Sequence, residues 1–277
     1  MREPKLIVNP EKEEFVEAQG RRFASYAIPT DLITENDDLE ELAIWYAKPL
    51  MQPGDILVVT HKIISKAGGF VRTLQEITPT AAVQQAAACT HKDPRLMQVI
   101  WDCAQKLYAC ARDIVMVERP DGWVCANAGV DASNAGGKDR LILLPPDCDD
   151  RAKELSLALS AALGFSLPVL ICDTHGRALR SGATGVCVGS YGLDPVRRYR
   201  GQADRDGRIL QHTEEAVADE LTGGATLVMG QGREGVPAVL ARGYLHDFAP
   251  LDSSALKRSP DQCLYKLQDA FITLEKN

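Results

Sequence analysis

Residues Asp173 to Gly182 read DTHGRALRSG and follow directly on the apolar run Leu167 to Cys172. A run that apolar reads as a buried strand, so an ionisable group at its end stands where the chain leaves the core, at the mouth of a site. Asp173 is the first catalytic candidate on this ground. Arg177 and Arg180 lie three apart, and one helical turn would set both guanidinium groups on the same side, able to grip phosphate or carboxylate oxygens in bidentate fashion. The competing reading of these ten residues is an Asp helix cap followed by a solvated basic turn.

Two more polar bursts follow strand-like segments. The run Asp55 to Thr60 passes straight into His61-Lys62-Ile63-Ile64-Ser65-Lys66-Ala67-Gly68-Gly69. Ile63 and Ile64 would anchor the turn, leaving Lys62, Ser65 and Lys66 to project from it, and lysine beside glycines at a strand exit is a usual way of meeting a phosphate. The hairpin around Pro120-Asp121-Gly122 delivers Asn127 to Gly137, in which Asp131 and Asn134 are small oxygen donors suited to a hard cation or a nucleotide, or to a plain Asx turn. A third glycine-rich loop, Gly230-Gln231-Gly232-Arg233-Glu234-Gly235, says little by itself.

The elements that would position these residues alternate between strand and helix. After about 20 weakly patterned residues, a strand from Ala24 gives way to an extended loop over Ile28 to Ile33. A helix capped by Asn36 or Asp37 then buries Leu39, Leu42, Ala43 and Tyr46. Further helices are expected over Pro79 to Thr90, from Asp93-Pro94 with a stripe through Leu96, Val99, Ile100, Cys103 and Leu107, from Asp149 or Asp150 to Gly164, over Glu214 to Thr222, and from Ser259-Pro260 onward. Strands are expected over Ile114 to Glu118, Trp123 to Ala126, Arg140 to Leu144 and Ala238 to Tyr244. The chain divides on this reading into an N-terminal extension (1–23), one catalytic domain (24–248) and a C-terminal helix (249–277).

Composition sets the outer bounds. The 277 residues are 45% hydrophobic and 25% charged with a net charge of −7, an ordinary globular balance with no basic stripe for nucleic acid and no basic patch for an anionic membrane. No apolar run approaches the ~20 residues of a membrane span, and no apolar leader follows Met1, so the expected location is the cytoplasm. The eight cysteines form no close pair of the zinc-ribbon type and are expected to be reduced, with Cys103 and Cys110 on one helical face.

Taken in order and spacing, VVTHKIISKAGG (Val58 to Gly69), VCANAGVDASN (Val124 to Asn134), DTHGRALRSG, the segment Asp204 to Arg208, and EEAVADEL with LVMGQGREGVPAVLARG (Glu214 to Gly243) closely resemble the coenzyme F420-0 gamma-glutamyl ligase family. The resemblance runs from about Ile28 to Gly243. It implies an α+β fold of two intertwined α/β parts around a nucleotide and metal cleft, within a homodimer. The implied activity is GTP-dependent addition of L-glutamate to a phosphate-bearing acceptor, with Mg2+ or Mn2+, and K+ as a further cation. Residue by residue, the resemblance makes Lys66 the nucleotide-binding lysine, sets His61 and Lys62 where neighbouring nucleotide contacts arise, and makes Asp131, Asp173 and Thr174 metal ligands. It also makes Asn134 a nucleotide contact and wraps the loop Met229, Gly230, Gln231, Gly232, Gly235 and Val236 over the phosphates.

The chemistry suits these residue types. Joining a carboxylate to an amine requires activation, and transfer of a γ-phosphoryl group to the carboxylate gives an acyl phosphate that an amine attacks. Asp131 and Asp173 would hold the divalent cation, while Lys66, Arg177 and Arg180 would supply fixed positive charge. His175 is a candidate base by proximity alone. Gln231 stands where the family carries an acid, leaving Glu234 as the residue that could restore the charge of a metal site on this loop. Three other readings stand beside this one: a relative acting on a folate or another acceptor, a non-catalytic nucleotide-binding module, and a Rossmann-type oxidoreductase, the last weakened because no loop carries the dinucleotide fingerprint.

Overall fold

The segment Ile56-Leu57-Val58-Val59 has no polar face, so it has to be covered from both sides, and the fold supplies a helix layer on each. A computed structural model describes residues 22–111, 113–259, 262–263 and 272–273. In chain order the elements are β1 (Ala24–Ile28), α1 (Leu39–Ala47), β2 (Ile56–Thr60), α2 (His61–Ala67), β3 (Val71–Thr73), α3 (Ala81–Ala88), α4 (Pro94–Cys103), β4 (Lys106–Ala111), β5 (Ile114–Glu118), β6 (Val124–Ala126) and β7 (Arg140–Ile142). There follow α5 (Cys148–Leu163), β8 (Val169–Arg177), β9 (Arg180–Tyr191), β10 (Arg197–Arg198), β11 (Glu214–Glu215), α6 (Val217–Met229), β12 (Ala238–Arg242) and β13 (Ile272–Thr273). No described helix is long and apolar enough to cross a membrane.

The main sheet has the order β1-β12-β2-β8-β9, with β2 and β8 parallel and every other pair antiparallel. Two-residue alternation sorts its side chains. Leu57 and Val59, Val169 and Ile171, and Leu240 face one side, against Tyr46 of α1, Ile63 and Ile64 of α2, and Leu155 and Leu159 of α5. Ile56 and Val58, Leu170 and Cys172, and Val239 face the other, against Val217, Leu221, Ala225 and Met229 of α6. Close approach is built in at Gly189 of β9, where a Cβ would lie 2.5 Å from the backbone of Cys148 at the start of α5.

Between α2 and α5 the chain leaves this sandwich and builds a second core. A four-stranded sheet, β13-β4-β5-β6, and the pair β3-β7 are packed with α3 and α4 around Met97, Val99, Ile100, Val115, Val117 and Leu141. The mixed sheets and the six α-helices among the described residues are consistent with an α+β fold. Buried Arg119 joins the two parts, donating to the carbonyls of Ala128 and Pro145 while paired with Asp121.

Several expectations are corrected. Arg177 and Arg180 do not share a helical turn. They are cross-strand partners at the tip of the β8–β9 hairpin, because β8 keeps pairing with β9 well past the end of β2. Helix α4 ends at Cys103, so Leu107 and Cys110 belong to β4, and Cys110 shares no helical face with Cys103. Caps fall one to three residues from their predicted places, at Asp38 for α1 and Asp147 for α5. Glu214 and Glu215 pair with β10, and the helix that follows runs through Gly223-Gly224 to Met229, since small residues there let it lie close to Gly185 of β9 and Phe23. Ser65 is buried rather than projecting. No disulfide joins any of the eight cysteines. The C-terminal helix lies for most of its length outside the described residues, as do residues 1–21 of the N-terminal extension; residues 253–256 form only a 3₁₀ turn, and Ile272–Thr273 form a strand, which pairs with β4.

One ion pair joins the adjacent strands β12 and β2 at one end of the sheet. Arg242 of β12 donates from Nε and Nη2 to the two oxygens of Asp55, each at 2.7 Å, and from Nη2 to the Leu50 carbonyl, with Tyr26 beneath its guanidinium. Asp55 is fully buried. Removing one partner of a buried pair leaves the other uncompensated, so Asp55→Ala is expected to lower unfolding free energy by about 3 kcal/mol. Urea titration checks this, and a loss below about 1 kcal/mol would show that the pair behaves as a surface one.

Candidate active site

Asp173 is not at a strand exit but just beyond the end of the neighbouring strand. β2 stops at Thr60, which is paired with Cys172, and α2 begins at His61, so the next residue of β8 looks onto the start of that helix. Alternation continues Val169 and Ile171 into Asp173, which puts its carboxylate on the α2 side of the sheet. His61, only 1% exposed, brings Nε2 to 3.4 Å from Asp173 Oδ1, and His175 brings Nε2 to 3.1 Å from Oδ2. The Thr174 amide donates to Oδ1 at 2.7 Å. Burial works against ionisation of Asp173, but the two imidazoles outweigh it and hold the carboxyl far below its ordinary range.

Helix α2 presents Lys62 and Lys66 one turn apart, on one face. Lys62 Nζ is 2.8 Å from Asp131 Oδ2 and donates to Ser133 Oγ at 2.6 Å. Asp131 is fixed through its backbone, which exchanges two hydrogen bonds with Ile142, and through the Ser133 amide, which donates to Oδ1. Burial opposes the charge on Asp131, yet Lys62 and the Ser133 donors carry its carboxyl below the usual range. Among the described residues Lys66 has no carboxylate partner of this kind: burial first, and then Lys62, lower its pKa.

The third wall is the loop after α6. Asn134, in a left-handed conformation with φ 56°, donates from Nδ2 to the Gly232 carbonyl across the site. The amide of Thr30 donates to the Gly235 carbonyl, and that of Thr60 to the Pro237 carbonyl. These contacts enclose a cavity of about 390 Å³ lined by Lys62, Lys66, Asn134, Asp173, Thr174 and the whole of Met229 to Pro237. Leu32, Ile33, Ile63 and Val236 give it an apolar side.

The structure therefore gathers Lys62, Lys66, Asn134, Asp173, Thr174, Met229, Gly230, Gln231, Gly232, Gly235 and Val236 around one space. His61 stands behind Asp173, with Nδ1 3.3 Å from the buried Ser65 Oγ, and does not line the cavity. Asp131 borders it through Lys62. Arg177 and Arg180 lie at the exposed hairpin tip, where Arg177 reaches only the carbonyls of Ser181 and Gly182, and His175 is engaged with Asp173. Thr30, Asp31, Thr226 and Arg233 also line the space. Nothing in residue type marks Thr30, Asp31 or Thr226; the Thr30–Gly235 contact brings the first two in, and the last lies one turn before the end of α6.

For a divalent cation the donors at this cavity are oxygens: the ionised Asp173, the Thr174 hydroxyl and the Gln231 amide oxygen. Among the described residues no three His, Cys, Asp or Glu side chains converge as a metal cage. That set suits a hard cation of the Mg2+ type, which is held by one or two carboxylates and completed by phosphate and water.

A model of the F420-0:Gamma-glutamyl ligase family matches residues 27–243. The protein named Coenzyme F420:L-glutamate ligase from Methanothermobacter thermautotrophicus is 45% identical over 192 residues, 69% of this chain and 75% of that protein. Its namesake from Methanopyrus kandleri is 38% identical over 238 residues, 84% and 93% of the two chains. The one from Methanosarcina mazei is 37% identical over 213 residues, 76% and 82%.

The lowered pKa of Lys66 has a sign that can be tested. The folded state holds this proton less tightly than the unfolded chain, so a protonated Lys66 costs stability below its folded pKa, and the cost fades as pH rises through that pKa toward 10.5. Lys66→Met is expected to raise the thermal midpoint of the ligand-free protein at neutral pH, with the gap closing at alkaline pH, and to weaken binding of inorganic tripolyphosphate at least ~10-fold. Calorimetry at several pH values checks both. Unchanged tripolyphosphate affinity would return Lys66 to an ordinary surface lysine.

Proposed function

The chain belongs to the F420-0:Gamma-glutamyl ligase family of amide-forming ligases, and we propose that it adds L-glutamate to coenzyme F420-0 with GTP and a divalent cation, through an acyl phosphate. The observation that carries this reading is one cavity in which two lysines, a half-buried carboxylate, an asparagine and a glycine loop face each other. Such a set receives a polyanion and spreads its charge.

In this reading Lys62 and Lys66 meet the phosphate oxygens, and the backbone of Gly230 to Gly235 closes over them from the opposite wall. Asp173, Thr174 and Gln231 would hold Mg2+ or Mn2+, with Asp131 orienting Lys62 beside them. A bound cation of this kind neutralises charge on the transferring phosphoryl group. An acceptor carboxylate oxygen forms the new bond to the γ-phosphorus as the bond to the leaving GDP oxygen breaks. The glutamate amine then attacks the acyl carbon, releases phosphate and gives up one proton to complete the amide. Arg177 and Arg180, exposed on the hairpin tip, suit the acceptor's phosphate or the glutamate carboxylate better than the nucleotide. The reading includes work in the cytoplasm, and the resemblance adds a homodimer, which light scattering would test.

The experiment is direct. Purified protein with GTP, Mg2+, L-glutamate and F420-0 is expected to yield glutamyl products by mass spectrometry, and chelation of the metal should stop their formation. Asp173→Asn is expected to keep the circular dichroism of the parent and lose turnover by about 10²–10³-fold. Full turnover in Asp173→Asn, or in the presence of a chelator, would overturn the assigned role of this carboxylate and its cation. Product with a folate acceptor but none with F420-0 would replace the acceptor and keep the chemistry.

A further inference from the structure

The glycine loop is folded around one of its own side chains. Glu234 turns back so that Oε2 accepts from the Gly232 amide at 2.8 Å. Its carboxyl carbon lies 2.3 Å from where a Cβ of residue 230 would stand, so only glycine leaves room for it. Gly230 has φ 71° and ψ −176°, a conformation suited to glycine, and is the residue at which α6 ends. From the other side Asn134 holds the Gly232 carbonyl, which fixes the orientation of the peptide planes around it. The loop thus presents a backbone donor to an anion, and the anion that takes it is the loop's own carboxylate.

Resting on the nucleotide reading above, we infer that Glu234 stands in for a phosphate in the ligand-free enzyme and makes the loop discriminate against phosphate ligands that arrive without a divalent cation. An entering phosphate that takes the Gly232 amide has to displace the carboxylate. The displaced Glu234 remains in the wall of the same cavity, three residues from Gln231. Against a bare polyphosphate it is a like charge at close range. Against a metal-complexed one it faces a cation, and the repulsion becomes attraction. The neutral amide at Gln231 supports this division, since the loop's only carboxylate is then the one that moves.

The test uses the full-length protein and calorimetry with GTP, in EDTA and in excess Mg2+, on the wild type and Glu234→Gln. Glutamine keeps an oxygen for the Gly232 amide and removes the charge, so the loop shape is retained. In EDTA the variant is expected to bind GTP about 10-fold more tightly than the wild type, and the ratio of affinities with and without Mg2+ should shrink by at least that factor. Glu234→Ala should show the same direction, which guards against a peculiarity of the glutamine side chain. The Gly232 amide resonance should move on adding GTP to the wild type and should already be displaced in ligand-free Glu234→Ala. Wild-type binding that neither variant strengthens in EDTA overturns this inference alone. No GTP binding by the wild type under either condition overturns the nucleotide reading and this inference with it.

Discussion

A half-buried carboxylate at position 173 is the constraint from which the site is arranged. The pleat of β8 places Asp173 in line with Val169 and Ile171, where the apolar part of that face gives way to His175 and Arg177. A carboxylate there is tolerated only with donors on both oxygens, since unpaired burial of such a charge costs several kcal/mol. His61, His175 and the Thr174 amide supply them. Two of those donors come from β8 itself. The third comes from the first turn of α2, which is present because β2 ends one residue earlier, opposite Cys172. The same short strand that exposes Asp173 to the cavity therefore delivers the helix that carries Lys62 and Lys66.

Around that centre the site is assembled from segments that are far apart in the chain, and the ties between them are few. Lys62 reaches Asp131 and Ser133, Asn134 reaches Gly232, and Thr30 reaches Gly235. Each neutral hydrogen bond contributes only about 0.5–1.5 kcal/mol net. The frame holding them is much firmer: a sheet covered on both faces, a second core around α3 and α4, and buried Arg119 spanning the junction. A rigid frame with lightly tied loops lets the loops exchange contacts with one another for contacts with a ligand. Lys66 fits the same pattern, as a charge whose burial the ligand-free protein bears without compensation sufficient to restore its ordinary pKa.

Much of this was legible in the sequence. Apolar runs bounded by Gly and Pro marked the strands Ile56–Thr60 and Ala238–Arg242, and Asp93-Pro94 marked the start of α4. The three polar bursts after apolar runs led to Lys62, Lys66, Asp131, Asn134 and Asp173, although Asp173 proved to lie inside β8, beyond the end of β2, and not at the end of its own strand. The order and spacing of the motifs led to the family, which the comparisons bear out over residues 27–243. These are properties of local sequence: periodicity, turn chemistry and the composition of short stretches.

What the sequence left undecided depends on partners remote in the chain. The ten residues from Asp173 could be read as strand, cap or turn, and it was pairing with β9 out to Arg180 that extended β8 and carried Arg177 and Arg180 away from the cavity to a hairpin tip. His61 carried no local mark of its position behind Asp173. Glu234 was legible as a charge near Gln231, but its turn back onto the Gly232 amide depends on a glycine at 230 and on Asn134, about a hundred residues away. Side-chain type and spacing determined which groups are present and which stretches are buried. Their directions and mutual distances were set by strand register and helix packing, as where the continued pairing of β8 with β9 places Arg177 opposite Arg180 at the hairpin tip.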